Sequence, residues 1–422
     1  MNVWILQTGE PLHIDGGNPR PMRAMNLGNA LIASGHQVVL WSSAFFHQEK
    51  RHRSKKAERI TISEQLEIRL IPSPGYQRNI GLDRLWDHAV LAFNLNRQLQ
   101  QEETTPDVAF IGYPPIEAAA VMTRWLYMRG VPSILDVKDQ WPSFFLDALP
   151  KPLRGIGRIA LWPYYYLGRR AMREASGLSA MAETFLEWAL NFAGRSRGGH
   201  DQIFPLTSPS SALSKDGLEN ARTWWSTQGI KFDADIMRLV FIGSHMSVFD
   251  FQPVREAAQL FAQRNAKVEF VICGDGGFSA ELRAMLADLP NVFFPGWVDR
   301  AQIETLAEIS HAALTPYRNI DNFTTNLPNK VIDSLSLGLP ILSPLQGEVA
   351  NLIETYGVGL RYGTDSGTSL VGCIEALISN QALRQKMSNN ARRLYRERFS
   401  YETVYGGLVR HLEMLALSRR SQ

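Results

Sequence analysis

Apolar and polar positions along the chain fall into two series, each alternating short apolar runs with amphipathic stretches. The first series opens on VWILQ, which reads as a buried strand. A Gly-rich loop follows, and then PMRAMNLGNALIASGH, whose apolar residues recur at helical spacing and stop at Gly35. QVVLWSS is the next strand, which completes a βαβ unit. VAFIGY and PSILDVKD, each adjoining a helical segment, extend this to a parallel, doubly wound sheet over residues 1–200. The rhythm lapses across 201–236, where GRSRGGHDQIFPLTSPSSALSKDG has the Gly, Ser and Pro content of a connector.

The second series runs over 237–395. It reads as strand RLVFIGS, helix VREAAQLFAQRN, strand KVEFVICG, helix AELRAMLADL, strand NVFFPGWV, helix AQIETLAEIS, strand AALTPY, strand PILSP and helix EVANLIETYG. A second parallel α/β domain is expected. ARRLYRERFSYETVYGGLVRHLEML predicts long helices beyond its sheet, and the last segment, 396–422, is a candidate to cross back to the N-terminal domain. Two such domains in tandem are expected to face a central cleft, with ligands at the carboxyl ends of the strands.

Composition adds limits. At 422 residues, with 45% hydrophobic and 20% charged positions, the chain can bury more than one core. A net charge of +3 does not point to nucleic acid. The two cysteines, Cys273 and Cys373, lie far apart and form neither a disulfide framework nor a metal cluster. The first apolar run is short for a signal peptide and lacks a basic flank, and no segment has the uncharged length of a bilayer span. A cytoplasmic enzyme is expected.

In order, the chain carries a Gly-Gly loop after the first strand, then GHQVVLWSS, DVKDQWP, LVFIGS, VEFVICGDGG, NVFFPGWV and LPNKVIDSLSLGLPILSP. This succession resembles the retaining GT-B glycosyltransferases of family 4, and most closely the bacterial members that build surface polysaccharides such as lipopolysaccharide. It covers nearly the whole chain. The resemblance implies a nucleotide-sugar donor, a UDP-sugar being favoured, and a glycan or lipid-linked acceptor, with no further cofactor. It also implies front-face transfer with retention, the departing phosphate oxygen taking the acceptor proton.

The stretch NFTTNLPNKVIDSLSLGLPILSP carries the expected donor site. With Asn326 or a neighbour as cap, Pro328 falls in the first turn of a helix that Gly338 ends. The free amides and dipole can then hold a diphosphate. Lys330 adds a charge unfavourable at a helix start unless an anion faces it, and Asn329 stands beside it. Asp333 would accept ribose hydroxyls. In the resembled family this place is the second acid of an E-x7-E pair; the first falls on Thr325. An Arg and a Lys usually follow the first strand of the second domain, yet FIGSHMSVFDF puts Ser244 and Phe249 near those places. His245, Lys330 and Arg318 are the candidates to supply the positive charge, and Gly243 lets the backbone approach a ligand. Trp297 is expected near the base. An ordinary capped helix with solvated Lys and Asp is the plain alternative.

At the other end, IDGGNPRPMR offers Gly16 and Gly17 for close approach to the transferred sugar, with Arg20 and Arg23 opening the next helix; it reads equally as a rigid turn. In DVKDQWPSFF, Asp139 is expected to orient sugar or acceptor hydroxyls beside Lys138, against the alternative of a strand-end salt bridge. Asp139, Lys330 and Gly17 are the candidate catalytic positions. Asp233-Ala234-Asp235 copies a metal-binding motif of another glycosyltransferase fold but precedes its strand, and reads as solvated connector charge. No carboxylate or His spacing suggests a metal.

KRHRSKKAER, from Lys50 to Arg59, holds six Lys or Arg against one Glu and suits an anionic membrane surface. LWPYYYLGRR interleaves aromatics with Arg and would suit the same surface, but reads rather as a packed interdomain helix. A nicotinamide dehydrogenase is disfavoured because GDGGFSAEL lacks the G-x-G-x-x-G spacing. A non-hydrolysing nucleotide-sugar epimerase and a non-catalytic nucleotide-sugar-binding subunit stay open.

Overall fold

The computed structural model describes residues 1–16, 21–78, 81–147, 150, 152, 154–207, 213–233, 235–363 and 367–420. The chain divides into two compact units, Met1–Pro209 with Tyr401–Gln422, and Ser210–Ser400.

The first unit contains strands β1 (Asn2–Leu6), β2 (Gln37–Ser43), β3 (Phe45–Phe46), β4 (Arg51–His52), β5 (Glu58–Ser63), β6 (Leu66–Ile71), β7 (Val108–Tyr113), β8 (Ser133–Val137), β9 (Gly177–Ala180) and β10 (Gln202–Ile203). Its helices are α1 (Arg23–Ala33), α2 (Leu82–Gln100), α3 (Ile116–Tyr127), α4 (Ser143–Asp147), α5 (Arg154–Ala160), α6 (Trp162–Glu174) and α7 (Glu183–Ala193), joined by the last helix of the chain, Tyr401–Arg420. Eight strands form one sheet in the order β10-β9-β8-β7-β1-β2-β6-β5, parallel except where β5 pairs antiparallel with β6 at the edge. The pleat sorts side chains by alternation: Val3 and Ile5 enter a core with Leu27, Leu31, Leu408 and Leu412, while Trp4 and Leu6 enter the opposite one with Leu91, Met122 and Leu186. The closing helix thus covers one face of this sheet with Val404, Tyr405, Leu408 and Leu412, and Tyr401 donates its hydroxyl to the Asn26 carbonyl at 2.8 Å.

The second unit follows in the order α8 (Lys215–Thr227), β11 (Met237–Ile242), α9 (Gln252–Gln263), β12 (Val268–Cys273), α10 (Ser279–Leu286), β13 (Val292–Gly296), α11 (Arg300–Glu308), β14 (Ala312–Leu314), α12 (Asp321–Thr324), α13 (Asn329–Leu337), β15 (Ile341–Ser343), α14 (Glu348–Tyr356), β16 (Gly359–Arg361), α15 (Gly367–Ser379) and α16 (Gln381–Leu394). Its six strands run parallel in the order β13-β12-β11-β14-β15-β16. Counted from β11 this is 3-2-1-4-5-6, the order of dinucleotide-binding sheets, and it puts the switch point between β11 and β14. Leu239 and Phe241 point into one core, and Val240 into the other against Trp225 and Leu306. The connector stretch is more ordered than its composition suggests: Ser214 caps α8 by accepting from the Gly217 amide, and Trp225 anchors the helix by donating to the Gln302 carbonyl at 2.9 Å.

Candidate functional site

The switch point of the second unit gathers most of the expected donor residues. The segments leaving β11 and β12 lie so close that side chains are excluded. A Cβ on Gly274, at φ 118°, would stand 2.1 Å from the Gly243 carbonyl oxygen, and His245 N–H donates to the Asp275 carbonyl at 2.9 Å. On the other flank Arg318 follows β14, its amide donating to Val248 O and its Nε to Ser247 O at 3.1 Å. Asn319 joins the next loop, donating to Pro344 O and accepting from the Gln346 amide.

Lys330 lies at the centre. Its Nζ donates to the Ile242 carbonyl at 2.7 Å and stands 4.7 Å above the Phe241 ring and 5.4 Å above Phe249. A Cβ on Gly243, at φ 138°, would fall 1.5 Å from Nζ, so glycine is required twice over, by backbone conformation and by the ammonium. Burial lowers this ammonium to about 8, with Asp333 opposing the shift. Phe249, at a place the resemblance assigns to a cation, is instead buried aromatic floor beneath that cation, packed on Phe241 and Tyr317. Cation–π attraction replaces part of the lost hydration.

The helix bearing Lys330 starts later than the sequence suggests. Pro328 is the N-cap, with extended ψ of 146°, so it is not in the first turn, and Asn326 does not cap: its Oδ1 accepts from the adjacent Leu327 amide. The physical reason is proximity, since a side chain two residues before a proline cap satisfies its own neighbour first. Asn329 is therefore the first helical residue, exposed, and Lys330 the second. Val331 N–H donates to the Pro328 carbonyl at 2.9 Å, and the amides of Asn329 and Lys330, the first two helical residues, precede any carbonyl of the helix. Gly338 ends it in the left-handed conformation, as its spacing predicts. Asp333 is exposed on the same helix, one turn beyond Lys330.

The remaining donor candidates differ in accessibility. Ser244 is exposed at the end of β11. His245 is fully buried between Phe241 and Phe294, its Nδ1 2.9 Å from Ser279 Oγ, and burial first, then Arg283, lowers its pKa. That shift favours the neutral ring, which braces the loop through Ser279. Trp297 is 66% exposed just past β13. Asp233 and Asp235 lie ahead of β11, where Asp233 Oδ1 accepts from the Asp235 amide and Asp235 pairs with Lys267. Among the described residues, no three His, Cys, Asp or Glu side chains group as metal ligands would.

In the first unit, Gly16 is exposed, while Gly17 and Arg20 lie outside the described residues. Lys138 donates to Gln7 Oε1 at 2.7 Å and to Glu10 Oε1 at 2.5 Å, and Glu10 Oε2 accepts from the Ala24 amide at the start of α1. The salt-bridge reading therefore describes Lys138. Asp139, next to it, is exposed; desolvation raises its pKa, against Arg84 and Lys138. Arg23 and Asp136 form a buried ion pair in which Nη2 donates to Oδ1 at 2.7 Å and Nε lies 2.7 Å from Oδ2.

One polar group escaped the sequence reading. Glu117, at the start of α3, is buried and pushed up to about 7 by desolvation, its Oε2 3.9 Å from His88 Nδ1. Burial first, then Arg84, lowers His88 to about 3. Tyr76 and Trp141 flank them, each with the Arg84 guanidinium over its ring. These residues are scattered over 65 positions from Tyr76 to Trp141 and share no motif; a buried acid inside the otherwise apolar IEAAAVM was the sole local signal.

The class defined by these features is a protein of two α/β units, the second a parallel sheet in dinucleotide-binding order with a desolvated lysine at its switch point. Residues 238–394, from β11 to α16, match the family described as Glycosyl transferases group 1. A search of curated protein sequences finds no match. Among solved structures, HepE of Anabaena in complex with UDP is similar at 14% identity, with 98% of this chain and 99% of that one covered and a TM-score of 0.60. WaaG, a glycosyltransferase involved in lipopolysaccharide biosynthesis, gives the same identity, coverage and score. Sucrose-phosphate synthase from Thermosynechococcus elongatus is similar at 13% identity over 99% of each chain, with a TM-score of 0.65. The fold is GT-B.

Proposed function

We propose that the chain is a metal-independent retaining glycosyltransferase of family 4 type. It takes a sugar from a nucleotide-diphosphate donor, a UDP-sugar being favoured, and transfers it to a glycan or lipid-linked acceptor in surface polysaccharide assembly. The reading has the protein working in the cytoplasm, and no helix among the described residues is long and apolar enough to cross a membrane.

The observation that carries the reading is Lys330, a desolvated ammonium at the second position of α13 whose Nζ donates to the Ile242 carbonyl at the end of β11. An anionic diphosphate at the same place would restore the ammonium and meet the first-turn amides. That arrangement stabilises charge developing on a leaving phosphate, which is the main electrostatic demand of the transfer. Asp333 would hold ribose hydroxyls, and Asp139 would orient a hydroxyl of donor sugar or acceptor. The family match over the second unit and the UDP bound to HepE support the choice of donor.

Ser244, Phe249 and Thr325 leave three customary charged places uncharged, which favours a second reading, a nucleotide-sugar-binding subunit without turnover. Thermal unfolding with UDP, GDP and NAD tests both. A diphosphate at about a hundred times its dissociation constant adds about 2.7 kcal/mol, and Asp333→Ala should lose most of it. Stabilisation by NAD alone, or by none, sinks the donor assignment; stabilisation by UDP without turnover of any UDP-sugar selects the binding subunit.

A further inference from the structure

Of the basic run from Lys50 to Arg59, four side chains are engaged within the first unit. Arg53 is buried in an ion pair with Asp15, Arg59 pairs with Glu102, Arg51 pairs with Glu49, and Lys50 lies over the Tyr76 ring. The long helix α2 of the same unit presents a surface of another kind.

Helix α2 has two apolar faces where a helix packed on one sheet needs a single one. Leu91, Leu95 and Leu99 recur at steps of four and are buried in the core that α3 and β7 also line. On the far side Leu82, Trp86, Ala89 and Phe93 follow at steps of four, three and four, which keeps them in one stripe. That stripe faces solvent: Leu82 is 83% exposed, Trp86 64% and Phe93 63%, and Ala89 between the two rings is exposed as well. Alternating steps of four and three are the spacing of a seam between two helices. One edge of the stripe carries Asp83, Val90 and Arg97 at steps of seven, the acid and the base both exposed and equally far from Val90.

We propose that this face of α2 is the contact surface of a two-fold homodimer, in which α2 packs antiparallel on α2 of a second copy of the chain. The charges select that arrangement. A two-fold axis at Val90 sets Asp83 opposite the partner's Arg97 and Arg97 opposite the partner's Asp83, whereas parallel helices would set each charge against its like. The same axis brings Phe93 of each copy to the level between Trp86 and the small Ala89 of the other, which takes both stripes out of water together. Charge also selects a second copy over an anionic bilayer. Helix α2 carries two acids, Asp83 and Asp87, and two bases, Arg84 and Arg97, and so offers lipid phosphates no net positive field. The inference stands apart from the donor assignment, since it uses no residue of α13 and requires no nucleotide.

Light scattering of the full chain during size-exclusion chromatography tests it, over a range of protein concentrations and without nucleotide. A particle of twice the chain mass is expected, giving way to the monomer on dilution. Trp86→Ser with Phe93→Ser should yield a monomer with unchanged far-ultraviolet circular dichroism, whereas Ile159→Ser, at a 78% exposed site on α5, should leave the dimer intact. Charge reversal reads the pairing itself. Asp83→Arg or Arg97→Asp alone should weaken association about ten-fold, because the two-fold axis counts each pair twice, and the two changes in one chain should restore it. The proposal is overturned by a monomer at every concentration, by a dimer that survives Trp86→Ser with Phe93→Ser or that Ile159→Ser disperses, or by a combined reversal no better than either change alone. A monomer that floats with anionic vesicles, and ceases to when Trp86 and Phe93 are replaced, overturns it in favour of a bilayer. UDP stabilisation, measured on the same preparations, reports separately on the donor site.

Discussion

Replacing Lys330 with methionine separates function from stability in opposite directions. The ammonium falls from 10.5 to about 8 on folding, which at about 1.36 kcal/mol per unit corresponds to about 3.4 kcal/mol, and partial solvent access brings this to about 2–3. Methionine keeps the apolar stem over Phe241 and Phe249 and removes that cost, but forfeits the bond to the Ile242 carbonyl, about 1.5 kcal/mol for a charged donor. The variant should therefore be about 1 kcal/mol more stable than the parent at pH 7 in urea titrations. Because the folded value lies below the unfolded one, the unfolded chain binds more protons between pH 8 and 10.5, so parental stability gains from this residue across that window. The methionine variant should lack the gain. A bound diphosphate favours the charged form, so parental UDP affinity by calorimetry should decline above pH 8, and the variant should bind at least ten-fold more weakly at pH 7. A variant less stable by 1 kcal/mol or more that binds UDP as the parent does would make Lys330 a packing residue and refute the reasoning.

Further outcomes follow from other contacts. Asp333→Ala should reduce UDP affinity about ten-fold or more; an unchanged affinity in calorimetry removes it from the site. Arg23→Ala leaves the buried Asp136 uncompensated and should cost about 3–5 kcal/mol in urea unfolding, a loss below 1 contradicting the burial. Glu117 is raised to about 7 from 4.5, so the folded chain binds the extra proton and stability from this residue falls as pH rises through that interval. Glu117→Gln should therefore gain on the parent between pH 4.5 and about 7, by up to about 3 kcal/mol; parallel stability curves would show the carboxyl to be solvated.

Local pattern determined a good deal. Apolar runs of strand length identify Gln37–Ser43 and Val108–Tyr113 at the observed bounds, and the glycine after LSL marks the end of α13 at Gly338, because periodicity and a left-handed cap depend on neighbours alone. The two-sheet α/β fold was legible for the same reason. The edge strand Glu58–Ser63 was not, since its exposed, charged sequence is read by pairing with β6 and not by burial.

Only the tertiary structure decided what each charged residue does. Lys138 and Glu10 are 128 positions apart, and Arg23 and Asp136 are 113 apart; nothing local distinguishes these partners from solvated charges. His245, a candidate cation by sequence, becomes a buried neutral brace, and Phe249 becomes the floor under Lys330. Ile156 and Ile159, apolar by type, are 68% and 78% exposed on α5. Hydrophobic period is a property of the chain and survives in the sequence; desolvation and ion pairing are properties of what the fold brings near, and the sequence alone does not hold them.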